Sequence, residues 1–388
     1  MKFVCLSPSF PENYANFWRS LKERGATVLG IDSLPYDRLG DEVKKSLTEY
    51  YRVNDMENYD ELLRACGYFT HRYGRIDRIE SHNEYWLDRD ARLRTDFNVE
   101  GFKTGDLLNV RYKSRMKEVF RSIGIPVARG KIVRNLEEGR ALAAETGWPV
   151  CVKPDCGVGA SSTYKFHSEK ELEVFFRKKP SGDFLMEEFI RGEIQTFDGL
   201  VDREGRVVFT SSFVLPDCGI MEMVSYEMDT MHYTLRKLPD DLVDFGLKTV
   251  KAFGLRERFF HIEFFRTDKG LVALEINARP PGGWCIDMFN YANDADLYDQ
   301  YAGMVLEGRV SAALDRPYHV YYIGLKEREH IRRAHGRDEI LKSFGSMIVR
   351  HGPIIPLFAP AMGDYAYLLR SSELEPLQHA AAYIAERA

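Results

Sequence analysis

The stretch FFHIEFFRTDKGLVALEINARPPGGW, from Phe259 to Trp284, constrains this chain more than any other. Two strand-like runs, FFHIEFF and LVALEIN, flank a Thr-Asp-Lys-Gly turn, and this pattern predicts a β-hairpin. Each run carries one glutamate among apolar residues, Glu263 and Glu275, and Asn277 lies two residues beyond Glu275. Side chains two apart on a strand share a face, so Glu275 and Asn277 point the same way. Glu263 lies across from them if the hairpin pairs in register. Two carboxylates drawn into an apolar sheet need positive charge beside them. Hard oxygen ligands of this kind suit Mg²⁺ that keeps several waters and shares the phosphates of a substrate. A pair of edge-strand carboxylates facing solvent is the other reading of the same residues.

Arg279 follows at the next spacing of two, so an extended chain puts it on the side of Glu275 and Asn277. Its planar fork can hold a carboxylate at two points, which lysine cannot imitate. Pro280 and Pro281 stiffen the exit, while Gly282 and Gly283 clear space for a ligand. The plainer role for Arg279 is structural, neutralising Glu263 or Glu275.

A chain of 388 residues has room for two or three domains with cores of their own. Its net charge of −5, with both signs interspersed, gives no polybasic footprint for nucleic acid or anionic lipid. The apolar run in MKFVCLSPSF is too short for a signal peptide, and no run approaches membrane-spanning length. The six cysteines are scattered without a C-x-x-C pair, which suits thiols in a reducing cytoplasm and disfavours zinc.

Residues 1 to 102 alternate short apolar strands with helical patterns, which predicts a small, open, mostly parallel sheet of Rossmann-like type. The first turn, SPSFPENY, lacks G-x-G-x-x-G, so a nicotinamide or flavin dinucleotide site is disfavoured. Glu80, Asn83 and Glu84 fall where a strand ends, the usual ligand rim of such sheets, though a solvated loop explains them equally well. In RYKSRMKEVFRSIG, Met116, Val119, Phe120 and Ile123 form one apolar helical face. Lys113, Arg115 and Lys117 lie largely off it, as on a surface helix.

WPVCVKPD reads as a buried strand closed by Lys153, and DCGVGASSTYKF follows as a turn of small residues. The backbone amides of Gly157, Gly159, Ser161 and Ser162 can approach a phosphate closely. The turn is not a Walker motif, because no Lys-Ser/Thr pair follows the second glycine. Further on, Glu187, Glu188, Phe189 and Ile190 end an apolar strand, where backbone groups can read an adenine edge. Glu193 is close enough in sequence to hold ribose hydroxyls; an acidic linker is the alternative.

Taken in order, these segments resemble the ATP-grasp superfamily, in the subgroup of biotin carboxylase, carbamoyl-phosphate synthetase modules and amino-acid ligases. Lys113 has the spacing to the glycine of GIPVA that the family's first phosphate-binding lysine shows, and Lys153 resembles the second. The resemblance makes Gly157–Ser162 a flexible lid, Glu187 to Ile190 the adenine hinge and Glu193 the ribose acid. It makes Glu263, Glu275 and Asn277 the metal ligands, and Arg279 the arginine that holds a reacting carboxylate or acyl phosphate. NARPPGGW resembles the N-x-R-x-x-G-G of amino-acid and dipeptide ligases. Glu84, Arg279, Gly282 and Gly283 are then the candidate substrate contacts.

The fold this implies is α/β and α+β. It comprises a Rossmann-like pre-ATP-grasp domain over 1–102, an ATP-grasp domain over 103–310 with its lid at about 125–190, and a small C-terminal α+β domain over 311–388. The implied reaction joins a carboxylate to an amine through an acyl phosphate, with ATP and two Mg²⁺ ions, Mn²⁺ being the alternative ion. A small-molecule kinase and a nucleotide-binding regulatory module are the competing readings. Expected partners are small carboxylates and amines, with no nucleic acid or membrane, in a cytoplasmic protein for which a homodimer is the one assembly considered. His330, His335, Arg350 and His351 in the last segment are either solvated or part of a pocket wall.

Overall fold

The computed structural model describes residues 1–157, 162–216, 228–312 and 314–388. The N-terminal alternation builds a four-stranded parallel sheet in the order Glu49–Arg52, Thr27–Asp32, Lys2–Leu6, Arg78–Glu80. Period-two alternation splits its side chains between two cores. Phe3, Cys5 and Val28 pack with Phe17, Trp18 and Leu21 of helix Ala15–Glu23, whereas Val4, Leu6, Leu29 and Ile31 pack with Leu62 and Phe69 of helix Tyr59–Tyr73.

A second sheet is antiparallel, in the order Gly130–Val133, Phe184–Glu188, Val150–Pro154, Tyr164–Phe166. Helices Leu136–Thr146 and Glu169–Arg177 cover it, with Leu142 and Leu172 sharing its core. Helix Lys113–Ser122 leads into this unit. Met116 and Phe120 are buried, and the helix stops at Gly124, whose φ of +75° suits a residue without a Cβ. Burying a side chain such as Phe120 contributes about 2–3 kcal/mol to fixing that helix.

The third sheet contains nine strands among the described residues. It begins with the hairpin Gly270–Asn277 and Arg258–Thr267, passes through Glu193–Val201 (with Val207–Ser211 paired beside it), Phe213–Leu215 and Thr230–Thr234, and continues into His319–Leu325, Tyr365–Ser371 and Ile348–Pro353. The C-terminal strands therefore extend the sheet that carries the hairpin, with Met231 opposite Ile323 at the junction. Helices Arg337–Phe344 and Leu374–Ala385 share a core with them. No helix among the described residues is long and apolar enough to cross a membrane.

Candidate active site

The hairpin pairs antiparallel with Glu263 opposite Glu275 and His261 opposite Asn277. The register slips between Glu263 and Phe264, so the second strand carries one extra residue, Leu274, immediately before Glu275. Such a bulge bends a strand and re-aims its side chains. Glu263 and Asn277 are buried, and Glu275 reaches partly into the open.

Behind Glu263 lies a chain of polar groups. Oε1 of Glu263 is 2.9 Å from Nε2 of His261, whose Nδ1 is 2.7 Å from Oδ1 of Asp198 on the neighbouring strand. Burial alone would strip the proton from this ring. The two carboxylates overcome that and push its pKa up to about 10, so His261 is an imidazolium that fixes Glu263 from behind.

The Asn277 amide satisfies its neighbours when Nδ2 faces Glu84, 3.2 and 2.7 Å from the two carboxylate oxygens. Its oxygen then sits on the Glu275 side. Two oxygens side by side with no hydrogen between them repel unless a cation joins them. The donor set of two carboxylates and an amide therefore fits a hard divalent ion that draws its other ligands from water or phosphate. Among the described residues, no group of three or more His, Cys, Asp or Glu is arranged around a metal position.

Beside the hairpin end stand three lysines. Asp155 holds the start of helix Lys113–Ser122: its carbonyl accepts from Lys113 N at 2.8 Å, and its carboxylate accepts from Ser114 N at 2.7 Å and Ser114 Oγ at 2.8 Å. Negative charge there suits a helix N-terminus. Lys113 Nζ then lies 3.8 Å from Glu275 Oε2 and donates to Gly157 O at 3.2 Å.

One turn on, Lys117 Nζ is 3.0 Å from Glu187 Oε1 and donates to Ala273 O at 3.3 Å; Lys153 Nζ is 2.8 Å from Glu187 Oε2. The Lys117 contact is an ion pair at a distance without hydrogen-bond alignment at Oε1. All three side chains are nearly sealed from water. Burial opposes the charge on Glu187, yet the two ammoniums hold its carboxyl at about 2. Burial outweighs Glu187 at Lys117 and depresses its pKa, whereas at Lys153 the carboxylate prevails and raises it. Two ammoniums around one carboxylate leave a positive surplus, and a buried surplus of that sign draws an anion.

Arg279 is already paired. Its Nε and Nη2 donate to Glu84 Oε2 at 3.2 and 3.0 Å, and its Nη1 donates to Pro280 O at 2.8 Å. Gly283 has a φ of +61°, and a Cβ there would meet Met362 Sδ at 2.2 Å; the volume its missing side chain vacates is filled by methionine. At Gly282 a Cβ would meet nothing within 4 Å, so the open space lies there. Asn13 from the first loop donates to Gly283 O at 3.0 Å. From the C-terminal strand, Arg350 lies 2.8 Å from Asp287 Oδ2, with its guanidinium carbon 4.1 Å from the centre of the Trp284 ring.

The structure brings Lys113, Lys153, Glu187, Glu263, Glu275, Asn277, Arg279 and Glu84 together around the end of the hairpin. Glu188 instead pairs with Arg129 at 2.6 Å, Phe189 carries Lys165 over its ring at 3.8 Å, and Glu193 is exposed opposite Arg266. The Phe189 amide donates to Pro149 O at 3.3 Å, and Ile190 is half-buried just beyond the strand. Ser162 is exposed, and Gly159 and Ser161 lie outside the described residues. His335 pairs with Glu339 and Glu386, and His351 with the Tyr365 hydroxyl, so of these C-terminal groups Arg350 is the one beside Trp284.

Lys117 is the main correction. A helical wheel sets it off the apolar face, but it is 2% exposed because Glu187 compensates its charge. Its spacing of four from Lys113 is the signal that could have found it, since the two share a face. His261 was also missed; its spacing of two from Glu263 places it on the same side of the strand.

Residues 146–288 match the ATP-grasp domain family. An L-arginine-specific L-amino acid ligase of Bacillus subtilis is 26% identical over 235 residues, which are 58% of this chain and 57% of that protein. The chain thus spans less than two thirds of that relative. An L-amino acid ligase from Bacillus licheniformis superposes with a TM-score of 0.73 at 14% identity, over 99% of this chain and 96% of the other. A biotin carboxylase from Campylobacter jejuni superposes with a TM-score of 0.70 at 15% identity, over 100% of this chain and 92% of the other. The chain has the ATP-grasp fold.

Proposed function

We propose that this ATP-grasp chain is an ADP-forming ligase that joins a small carboxylate to an amine through an acyl phosphate. The observation that carries the reading is the Arg279–Glu84 pair, in which a guanidinium fork beside the metal-ligand set already holds a carboxylate. A substrate acid offers the same group to the same fork. The relatives of matching fold that are named as amino-acid ligases support it. The working division is 1–102, 103–310 and 311–388, with the last segment contributing Arg350 to the site wall.

In this mechanism the lysine surplus around Glu187 receives the phosphates of ATP, and Lys113 stands between them and Glu275. Glu263, Glu275 and Asn277 would hold Mg²⁺, whose charge would offset that of the polyphosphate. Two such ions are proposed. Arg279 exchanges Glu84 for the substrate carboxylate and aligns one of its oxygens with the γ-phosphorus. That oxygen forms the new P–O bond as the bond to the β–γ bridging oxygen breaks, giving acyl phosphate and ADP. An uncharged amine then attacks the acyl carbon, the C–O bond to phosphate breaks, and the amine's spare proton passes to solvent. Phosphate and amide leave. No nucleophilic serine or cysteine is needed.

Hydroxylamine tests this directly, because it replaces the amine and traps the acyl phosphate as a hydroxamate. With the correct acid, hydroxamate should form in step with ADP. Arg279→Lys should lose at least about tenfold in trapping, while ATP binding stays near that of the parent. ADP release without hydroxamate, across acids that support turnover, would make the chain a kinase instead.

A further inference from the structure

A cavity of about 630 Å³ lies between the N-terminal sheet and the start of strand Arg258–Thr267, away from the lysine cradle. Seven arginine or lysine side chains line it against four carboxylates. All four carboxylates are engaged. Glu80 accepts from Arg94 and Arg258, Glu257 and Glu100 pair with Arg78, and Asp106 accepts from the backbone of Lys103.

Arg203 also pairs with Glu100, which leaves Arg75, Lys103 and Arg256 without an ion pair among the described residues. The Arg75 guanidinium donates to Asn98 O at 3.2 Å and Lys103 Nζ to Asn98 Oδ1 at 3.1 Å; both acceptors are neutral. Arg256 is exposed and has no ion pair among the described residues. The cavity wall adds a second, independent sign. Arg258 is 3% exposed, and while its two terminal nitrogens donate to Ala278 O and Glu80, its Nε–H has no acceptor. A buried charge-bearing donor left without a partner costs free energy that an anion would recover.

We propose that this cavity binds a small polyanion, a compound with two or more acidic groups, at a site separate from the nucleotide cleft. The groups would be held by the Arg75, Lys103 and Arg256 cations at the mouth, and a small shift of the packing around Arg258 would open its unpaired Nε–H to one of their oxygens. A single anion would leave the mouth charges unmet; two or more acidic groups on one molecule answer them together.

Inorganic pyrophosphate, titrated calorimetrically at low ionic strength without divalent metal, is the probe. Lys153→Met removes the phosphate-facing charge of the nucleotide cleft, so what it still binds reports on the cavity. Pyrophosphate should bind Lys153→Met, and adding Arg75→Glu with Arg256→Glu should weaken that binding at least about tenfold. Both added changes are at exposed positions, and an unchanged circular dichroism spectrum and melting temperature would show that they spare the fold. Failure of Lys153→Met to bind, or equal binding after the two charge reversals, would overturn the proposal.

Discussion

Glu80 and Glu187 are buried carboxylates in different parts of the molecule, and each is clasped by two cations. Arg94 and Arg258 lie 2.8 and 3.1 Å from Glu80; Lys117 and Lys153 lie 3.0 and 2.8 Å from Glu187. In both cases burial pushes the carboxyl pKa up and the paired cations drag it to about 2. Their electrostatics are nearly the same, yet only Glu187 stands beside the hairpin end that carries Glu275. The difference lies in the cations. Arg94 also donates to Ile79 O and Phe102 O, and Arg258 to Ala278 O, so those forks tie strand Arg78–Glu80 and the start of the hairpin strand to neighbouring loops, and of their nitrogens only Arg258 Nε is left without a partner. The ammoniums are compact, rotatable charges with donors to spare. A perturbed carboxylate therefore does not mark a functional site until its partners are asked what else they can hold.

The sharpest way to break this comparison is to neutralise each acid in turn. Glu80→Gln leaves two buried guanidiniums uncompensated and should cost about 3–5 kcal/mol in chemical denaturation, with no recovery on adding Mg·ATP. Glu187→Gln should lose stability as well, but Mg·ATP should raise its melting temperature more than that of the parent, because phosphate takes the carboxylate's place. Equal nucleotide gains in both variants would erase the distinction.

Removing one cation from each clasp probes the same contrast through activity. Lys153→Met should lower kcat/KM for ATP about 10²–10³-fold, equivalent to about 3–4 kcal/mol, while leaving Glu187 paired with Lys117 and the fold intact. Arg94→Met should instead lower the yield of folded protein, with near-parental kcat/KM in what folds. Steady-state kinetics normalised to folded protein would decide.

Acid titration gives the smallest effect. Both carboxyls are lowered from an ordinary 4.5 to about 2, so each contributes stability that is present above about pH 4.5 and lost as pH falls towards 2. Over that window, Glu80→Gln and Glu187→Gln should each flatten the fall in stability by up to about 1.4 kcal/mol per pH unit. Urea unfolding at stepped pH would measure it; a parental slope in either variant would mean that its carboxylate is not ionised in the fold.

Local rules carried the sequence reading where one segment contains its own answer. The hairpin followed from two apolar runs around a four-residue turn, and the parallel sheet from alternating elements; counting back from that turn pairs Glu263 with Leu274, so the bulge that sets Glu275 opposite it was not legible. The closeness of Glu263, Glu275 and Asn277 was legible because all three residues sit on one hairpin. Lys117 was not, since the carboxylate that lets it be buried sits on a different sheet. Asp198 escaped notice for the same reason: its partner His261 lies across a strand pairing that no local pattern announces. Nor could periodicity reveal that His319–Leu325 pairs with Thr230–Thr234, which makes the C-terminal strands part of the hairpin's own sheet.

In the proposed reaction, the Glu84–Arg279 contact would turn entry of an acid into an exchange. Glu84 is tethered, so its local concentration at the fork is far above that of any dissolved metabolite. An incoming carboxylate gains only the difference between its own fit and that of the resident side chain. Charge alone earns it nothing there, because the incumbent carries the same charge. Selection would then fall to whatever else the newcomer touches, and stray small acids such as acetate would be turned away by an occupant that the protein supplies itself.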